Sequence, residues 1–95
     1  MKKKKVLEKV IEKKVCDYAK RNGIYTRKFT SPARRSVPDH LFLYNGVCFF
    51  IEFKAEGKKP TVKQTREIKL IRECKIDCYV VDNINDGTFI IDLYL

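Results

Sequence analysis

The chain has 95 residues and a formal charge of +9, from 21 Lys plus Arg against 12 Asp plus Glu, which leaves room for a single domain and calls for an anionic partner or a role in solubility. Residues 1 to 75 hold all 21 bases and eight acids, +13, while residues 76 to 95 hold four aspartates and no base, −4, so the partner-facing surface belongs to the first three quarters. A composition of 44% hydrophobic and 35% charged residues excludes a disordered basic tail, and the absence of a long apolar run or an apolar leader core leads us to expect a cytoplasmic protein with no membrane contact.

Residues 2 to 22 predict a helix, because Leu7, Val10, Ile11, Val15 and Tyr18 follow helical spacing among lysines. Gly23 supplies its stop. Residues 24 to 29 predict a short strand, and residues 30 to 38 a basic loop with two prolines and the pair Arg34-Arg35. Residues 39 to 54 then present DHLFLY and VCFFIEFK on either side of Asn45-Gly46. That dipeptide between apolar runs is a strong signal for a hairpin with a type I′ turn. With Asn45 and Gly46 as the turn, Tyr44 faces Val47 and Asp39 falls opposite Glu52.

Opposed residues project on the same face with Cβ atoms about 4.5 to 5.5 Å apart. Turn chemistry alone therefore brings two carboxylates together, and Lys54 joins them by the two-residue period. Phe42, Tyr44, Phe49 and Phe53 fall on the other face, which predicts core or interface packing. His40 shares that face and points away from Asp39.

Residues 55 to 60 form a polar connection. Thr61-x-x-Gln64 is a capping-box pattern, and Ile68, Ile71 and Cys74 continue it as a helix. Residues 76 to 82 predict a strand, which a crossover would set parallel to residues 47 to 54. In residues 83 to 95 we expect a turn at Asp86-Gly87 and an edge strand, TFIIDLYL, with a short helix as the alternative. The four cysteines, Cys16, Cys48, Cys74 and Cys78, lack metal-binding spacing and are expected to be reduced small hydrophobes.

Paired carboxylates repel, and a divalent cation is the usual offset. Hard oxygen ligands suit Mg²⁺ or Mn²⁺. A cation, two acids and a lysine under a basic surface point to phosphodiester hydrolysis.

The strings SPARRSVPD (residues 31 to 39) and FIEFKA (residues 50 to 55), with Gln64 in the next helix, resemble the PD-(D/E)xK nucleases, and within them the virus-type replication-repair nuclease (VRR-NUC) domain of stand-alone phage type. The resemblance spans roughly residues 8 to 82. Ser36 stands where the family usually has glycine. The resemblance implies a single VRR-NUC domain over residues 1 to 95 with an α/β, restriction-endonuclease-like core in the order α-β-β-β-α-β and a mixed sheet flanked by helices, to which the C-terminal strand expected above would be an optional addition.

By the same resemblance, Asp39, Glu52 and the main-chain carbonyl of Phe53 hold the metal, Lys54 positions the attacking water, and Gln64 bonds the scissile phosphate or a water. A glutamate of the first helix completes the set. Glu12 is favoured for its spacing from Gly23, and Glu8 is the alternate. Lys28, Ser31, Arg34 and Arg35, with Arg27, form one expected DNA contact, and Lys58 and Lys63, with Lys59 and Arg66, another. The implied activity is a metal-dependent endodeoxyribonuclease acting on branched DNA, as a homodimeric four-way (Holliday) junction resolvase. The alternatives are a nuclease for flap, fork or plain duplex DNA and a non-catalytic DNA-binding module.

Overall fold

The structure, a computed structural model, describes residues 4–95. Seven elements follow in order: α1 (Glu8–Arg21), β1 (Tyr25–Lys28), β2 (His40–Tyr44), β3 (Val47–Phe53), α2 (Val62–Glu73), β4 (Asp77–Val81) and α3 (Ile84–Leu93). The four strands lie in the order β1-β2-β3-β4, antiparallel except for the parallel pair β3 and β4. This is the expected mixed sheet flanked by helices. No helix among the described residues is long and apolar enough to cross a membrane.

Helix α1 starts later than expected. Leu7 occupies the N-cap and offers no side-chain cap bond, and lysines before it oppose the helix dipole. Part of the lysine run, residues 2 and 3, lies outside the described residues, and Lys4 and Lys5 are exposed. From Glu8 onward the apolar stripe wins, burying Ile11, Val15, Cys16 and Ala19.

The hairpin forms in the expected register. Asn45 and Gly46 have φ of 50° and 80°, as a type I′ turn requires, and Tyr44 pairs with Val47 and His40 with Ile51. Phe42, Phe49 and Phe53 are wholly buried with Ile51 under α1 and α3. Phe49 stacks on Tyr94 at 3.9 Å between ring centroids, and Tyr94 Oη donates to Asp77 at 2.6 Å.

The C-terminal segment is a helix, which corrects the expected turn and edge strand. Asn83 caps it, its Oδ1 accepting from Asp86 N–H at 2.8 Å. Ile84, Gly87, Ile91 and Tyr94 then recur at three- and four-residue intervals along the face turned to the core. Gly87 is helical rather than part of a turn. A Cβ at that position would collide with Val15 Cγ2, so the glycine serves the close approach of α1 and α3.

Helix α2 covers the opposite sheet face over β4. On that face Leu41, Cys48 and Phe50 stay half-buried, and Leu43 and Tyr25 are 41% and 49% exposed. The sheet is thus closed by helices on one side and partly open on the other.

Candidate active site

Pro38 is buried and delivers Asp39 to the start of β2. There the Asp39 carbonyl accepts from Phe29 N–H at 2.7 Å, and its Oδ2 accepts from Phe53 N–H at 2.9 Å. The first bond extends the β1–β2 pairing one residue past Lys28 and His40, and the second ties the Asp39 carboxylate to the main chain of Phe53, next to Glu52.

Glu52 is only 2% exposed. Its Oε2 accepts from Gln64 Nε2 at 3.1 Å and faces Lys54 Nζ at 3.5 Å. Its Oε1 is buried without a hydrogen-bond partner among the described residues. Desolvation, and then the neighbouring Asp39 charge, push the Glu52 carboxyl up to about 7 against the pull of Lys54. A buried acceptor with no donor is costly, and the unfilled lone pairs of Oε1 suit a hard cation.

The two first-helix glutamates separate. Glu12 Oε1 lies 3.4 Å from His40 Nε2, over the face that points away from Asp39. Glu8, one helical turn earlier, is the acid whose charge bears on Glu52. Partial burial, and next Asp39, raise the Glu8 carboxyl, with Lys54 and Lys28 opposing. Of the two, Glu12 is thus engaged with His40, and Glu8 is the one coupled by charge to Asp39 and Glu52.

A cleft of about 740 Å³ opens between residues 32 to 36 and the start of α2. Arg34, Arg35, Lys63 and Arg66 line it together with Gln64, and Glu67 is the acid among them. Arg34 Nη1 reaches Glu67 Oε2 at 3.5 Å. Two expected basic clusters thus merge in one cleft beside Glu52. Lys28 instead lines a hollow with Glu12 and His40, while Ser31 and Lys58 do not line the cleft. Ser31 closes a local turn through its carbonyl, which accepts from Arg34 N–H, and Lys58 N–H closes another onto Ala55 O. Glu67 was missed in the sequence, although its place three residues after Gln64 sets both on one helical face.

An in-register acid pair, a lysine two residues beyond the second acid, and a mixed sheet between helices define the PD-(D/E)xK nuclease class. No family model matches the chain. A solved VRR_NUC domain superposes with a TM-score of 0.85 over 95% of this chain and 99% of that one, at 28% identity. "Putative nuclease p44" of Acyrthosiphon pisum secondary endosymbiont phage 1 is 46% identical over 63 residues, 65% of this chain and 68% of that protein. The chain belongs to the VRR-NUC family of nucleases.

Proposed function

We propose that this nuclease is a divalent-cation-dependent DNA endonuclease whose substrate is a branched duplex, specifically a four-way junction cut by a homodimer. The observation that carries the chemistry is Glu52: a buried carboxylate beside Asp39, with one oxygen lacking a donor among the described residues. Asp39, Glu52 and the Phe53 carbonyl are hard oxygen donors suited to Mg²⁺ or Mn²⁺. Among the described residues no three His, Cys, Asp or Glu side chains gather into a metal-binding group, so a cation would rely on two carboxylates, a carbonyl and water, a pattern common for Mg²⁺. Such a cation supplies Lewis-acid stabilisation of phosphate charge and acidifies water.

The chain's own groups do the rest. Lys54, beside Glu52, orients the attacking water and balances charge developing on the phosphate. Glu8 of α1 adds negative charge that bears on the carboxylate pair. Arg34, Arg35 and Lys63 grip the backbone along the cleft. Lys28, Ser31 and Lys58 contact the DNA farther out.

The open sheet face supports the dimer. Leu41, Leu43, Cys48 and Phe50 form an apolar strip, and Arg27, paired with Leu41 across the strands, sits over the Tyr25 ring at 4.2 Å. Two chains of charge +9 repel overall, and this strip offers an uncharged surface on which they can meet. A two-fold pair would offer two sites to a two-fold junction.

The test uses labelled four-way junction, fork and linear duplex with Mg²⁺ or Mn²⁺, and the variants Asp39→Asn and Glu52→Gln. Paired cuts in the junction by wild type, lost in both variants while binding persists, are expected. No cleavage with either metal, or equal cleavage by the variants, rejects the site. Cutting of forks or linear duplex in preference to junctions rejects the substrate assignment.

A further inference from the structure

Gln64 makes two hydrogen bonds at once. Its Oε1 accepts from Thr61 N–H at 2.9 Å, and its Nε2 donates to Glu52 Oε2 at 3.1 Å. Thr61 Oγ1 completes the reciprocal pair by accepting from Gln64 N–H at 3.1 Å. The capping box that starts α2 is therefore continuous with the buried carboxylate of β3.

The chemistry of these partners leaves the amide one orientation. A main-chain N–H can only donate, so the Gln64 oxygen must face Thr61, and the Gln64 NH₂ is then committed to Glu52. Reversing the amide would set its oxygen against a carboxylate and its NH₂ against an N–H, with neither bond surviving. Glu52 is held in turn, because Oε2 is occupied by Gln64 and Lys54 and Oε1 alone keeps its lone pairs free.

We propose that Thr61 is a positioning residue of the active site: its Oγ1 bond to Gln64 N–H fixes the helix start at which its own main-chain N–H orients the Gln64 amide, and that amide clamps Glu52 so that Oε1 is the oxygen presented to a cation. Gln64 acts through Glu52 and has no need to leave its cap to touch DNA. This rests on the reading that Glu52 binds the catalytic cation, and it assigns a second function to a pattern that otherwise only starts a helix. Hydrogen-bond partners of metal ligands typically alter metal affinity or activity by about 10- to 100-fold when removed, whereas a cap serving the helix alone would change stability and leave the ligand untouched.

The experiment compares wild type, Thr61→Ala, Thr61→Ser, Gln64→Ala and the double variant Thr61→Ala/Gln64→Ala. The readouts are Mn²⁺ affinity by calorimetry without DNA, kcat and KM for junction cleavage, and thermal melting, with assays run well below every midpoint. Gln64→Ala is expected to weaken Mn²⁺ binding and lower kcat by about 10-fold with KM for DNA unchanged. Thr61→Ala is expected to move the same two quantities in the same direction by a smaller factor, because its main-chain N–H remains. Thr61→Ser should restore both. Adding Thr61→Ala to Gln64→Ala should lower melting further and leave Mn²⁺ affinity and kcat where Gln64→Ala left them, since Thr61 acts only through Gln64.

The proposal is overturned if Thr61→Ala lowers melting with Mn²⁺ affinity and kcat at wild-type values, or if the two substitutions multiply in kcat. Failure of the underlying reading looks different, since Asp39→Asn and Glu52→Gln would then bind Mn²⁺ as wild type does.

Discussion

Burial drives the behaviour of Glu52. Its carboxyl sits at about 7, raised first by desolvation and then by Asp39, while the unfolded chain ionises near the ordinary value of 4.5. Below that value both states are protonated. Between the two values the folded state retains a proton that the unfolded state has lost, so stability falls as pH rises toward 7. His40 opposes this in part, since desolvation lowers its pKa and stability from that residue grows as pH rises toward its ordinary 6.5. The difference between wild type and Glu52→Gln isolates the carboxylate. In the absence of divalent metal, denaturant titrations should show the variant gaining on wild type by about 2 to 3 kcal/mol between pH 4.5 and 8. Cation binding needs the ionised form, so Mn²⁺ affinity of wild type should rise across the same interval.

The two α1 glutamates permit an equally direct comparison. Glu8→Gln removes a charge that bears on Asp39 and Glu52, and cleavage should fall. Glu12→Gln removes the partner of His40 and should leave single-turnover cleavage near wild type. Equal loss in both would return Glu12 to the site. That distinction was not legible in sequence, because two acids one turn apart share a helical face and only the packing of α1 on the sheet sets which end each one meets.

Among the elements, the hairpin and α3 show opposite relations between local signal and outcome. Asn45 and Gly46 adopt positive φ because the I′ turn requires it, and no distant contact is needed to set the register that aligns Asp39 with Glu52. Asp86-Gly87 carries a similar local signal and ends inside a helix. The Asn83 cap and the stripe Ile84, Gly87, Ile91 and Tyr94 prevail over the turn signal once α1 offers a surface to pack on. Gly87→Ala should improve helix propensity by about 1 kcal/mol, yet the new methyl meets Val15 and overpacking costs about 1 to 3 kcal/mol. The expected result is a net loss of stability in denaturant titration. Adding Val15→Ala should relieve the overlap, and a destabilisation unchanged by that second substitution would place the strain elsewhere.

At the scale of the whole molecule, charge and apolar surface divide the labour. Arg34, Arg35 and Lys63 come from distant segments into one cleft. Each should release about one counterion on binding DNA, so single substitutions to Ala should flatten the slope of log K against log salt by about 0.9 in duplex arms. Lys69 on α2 lies outside that cleft, and its substitution should leave the slope unchanged. On the open sheet face, Leu43→Asp puts a charge into the strip proposed to join two copies. Sedimentation should show a dimer for wild type and a monomer for the variant, with paired junction cuts replaced by single nicks. A wild-type monomer at all concentrations would remove the dimer, and a dimeric Leu43→Asp would move the interface to another surface, such as the exposed Phe89 and Leu93 on α3.

Local chemistry in the sequence by itself determined the hairpin, its register, the capping box and hence the pairing of Asp39, Glu52 and Lys54, because turn conformation, two-residue alternation and helix capping act over a few residues. Tertiary structure decided everything that depends on one element meeting another. It set Glu12 against His40, made Gly87 a contact instead of a turn, gathered two basic segments beside Gln64, and buried Glu52 with one oxygen unpaired among the described residues. These outcomes follow from the relative placement of α1, α2 and the sheet, which is set by the packing of the whole core and is written in no short stretch of the chain.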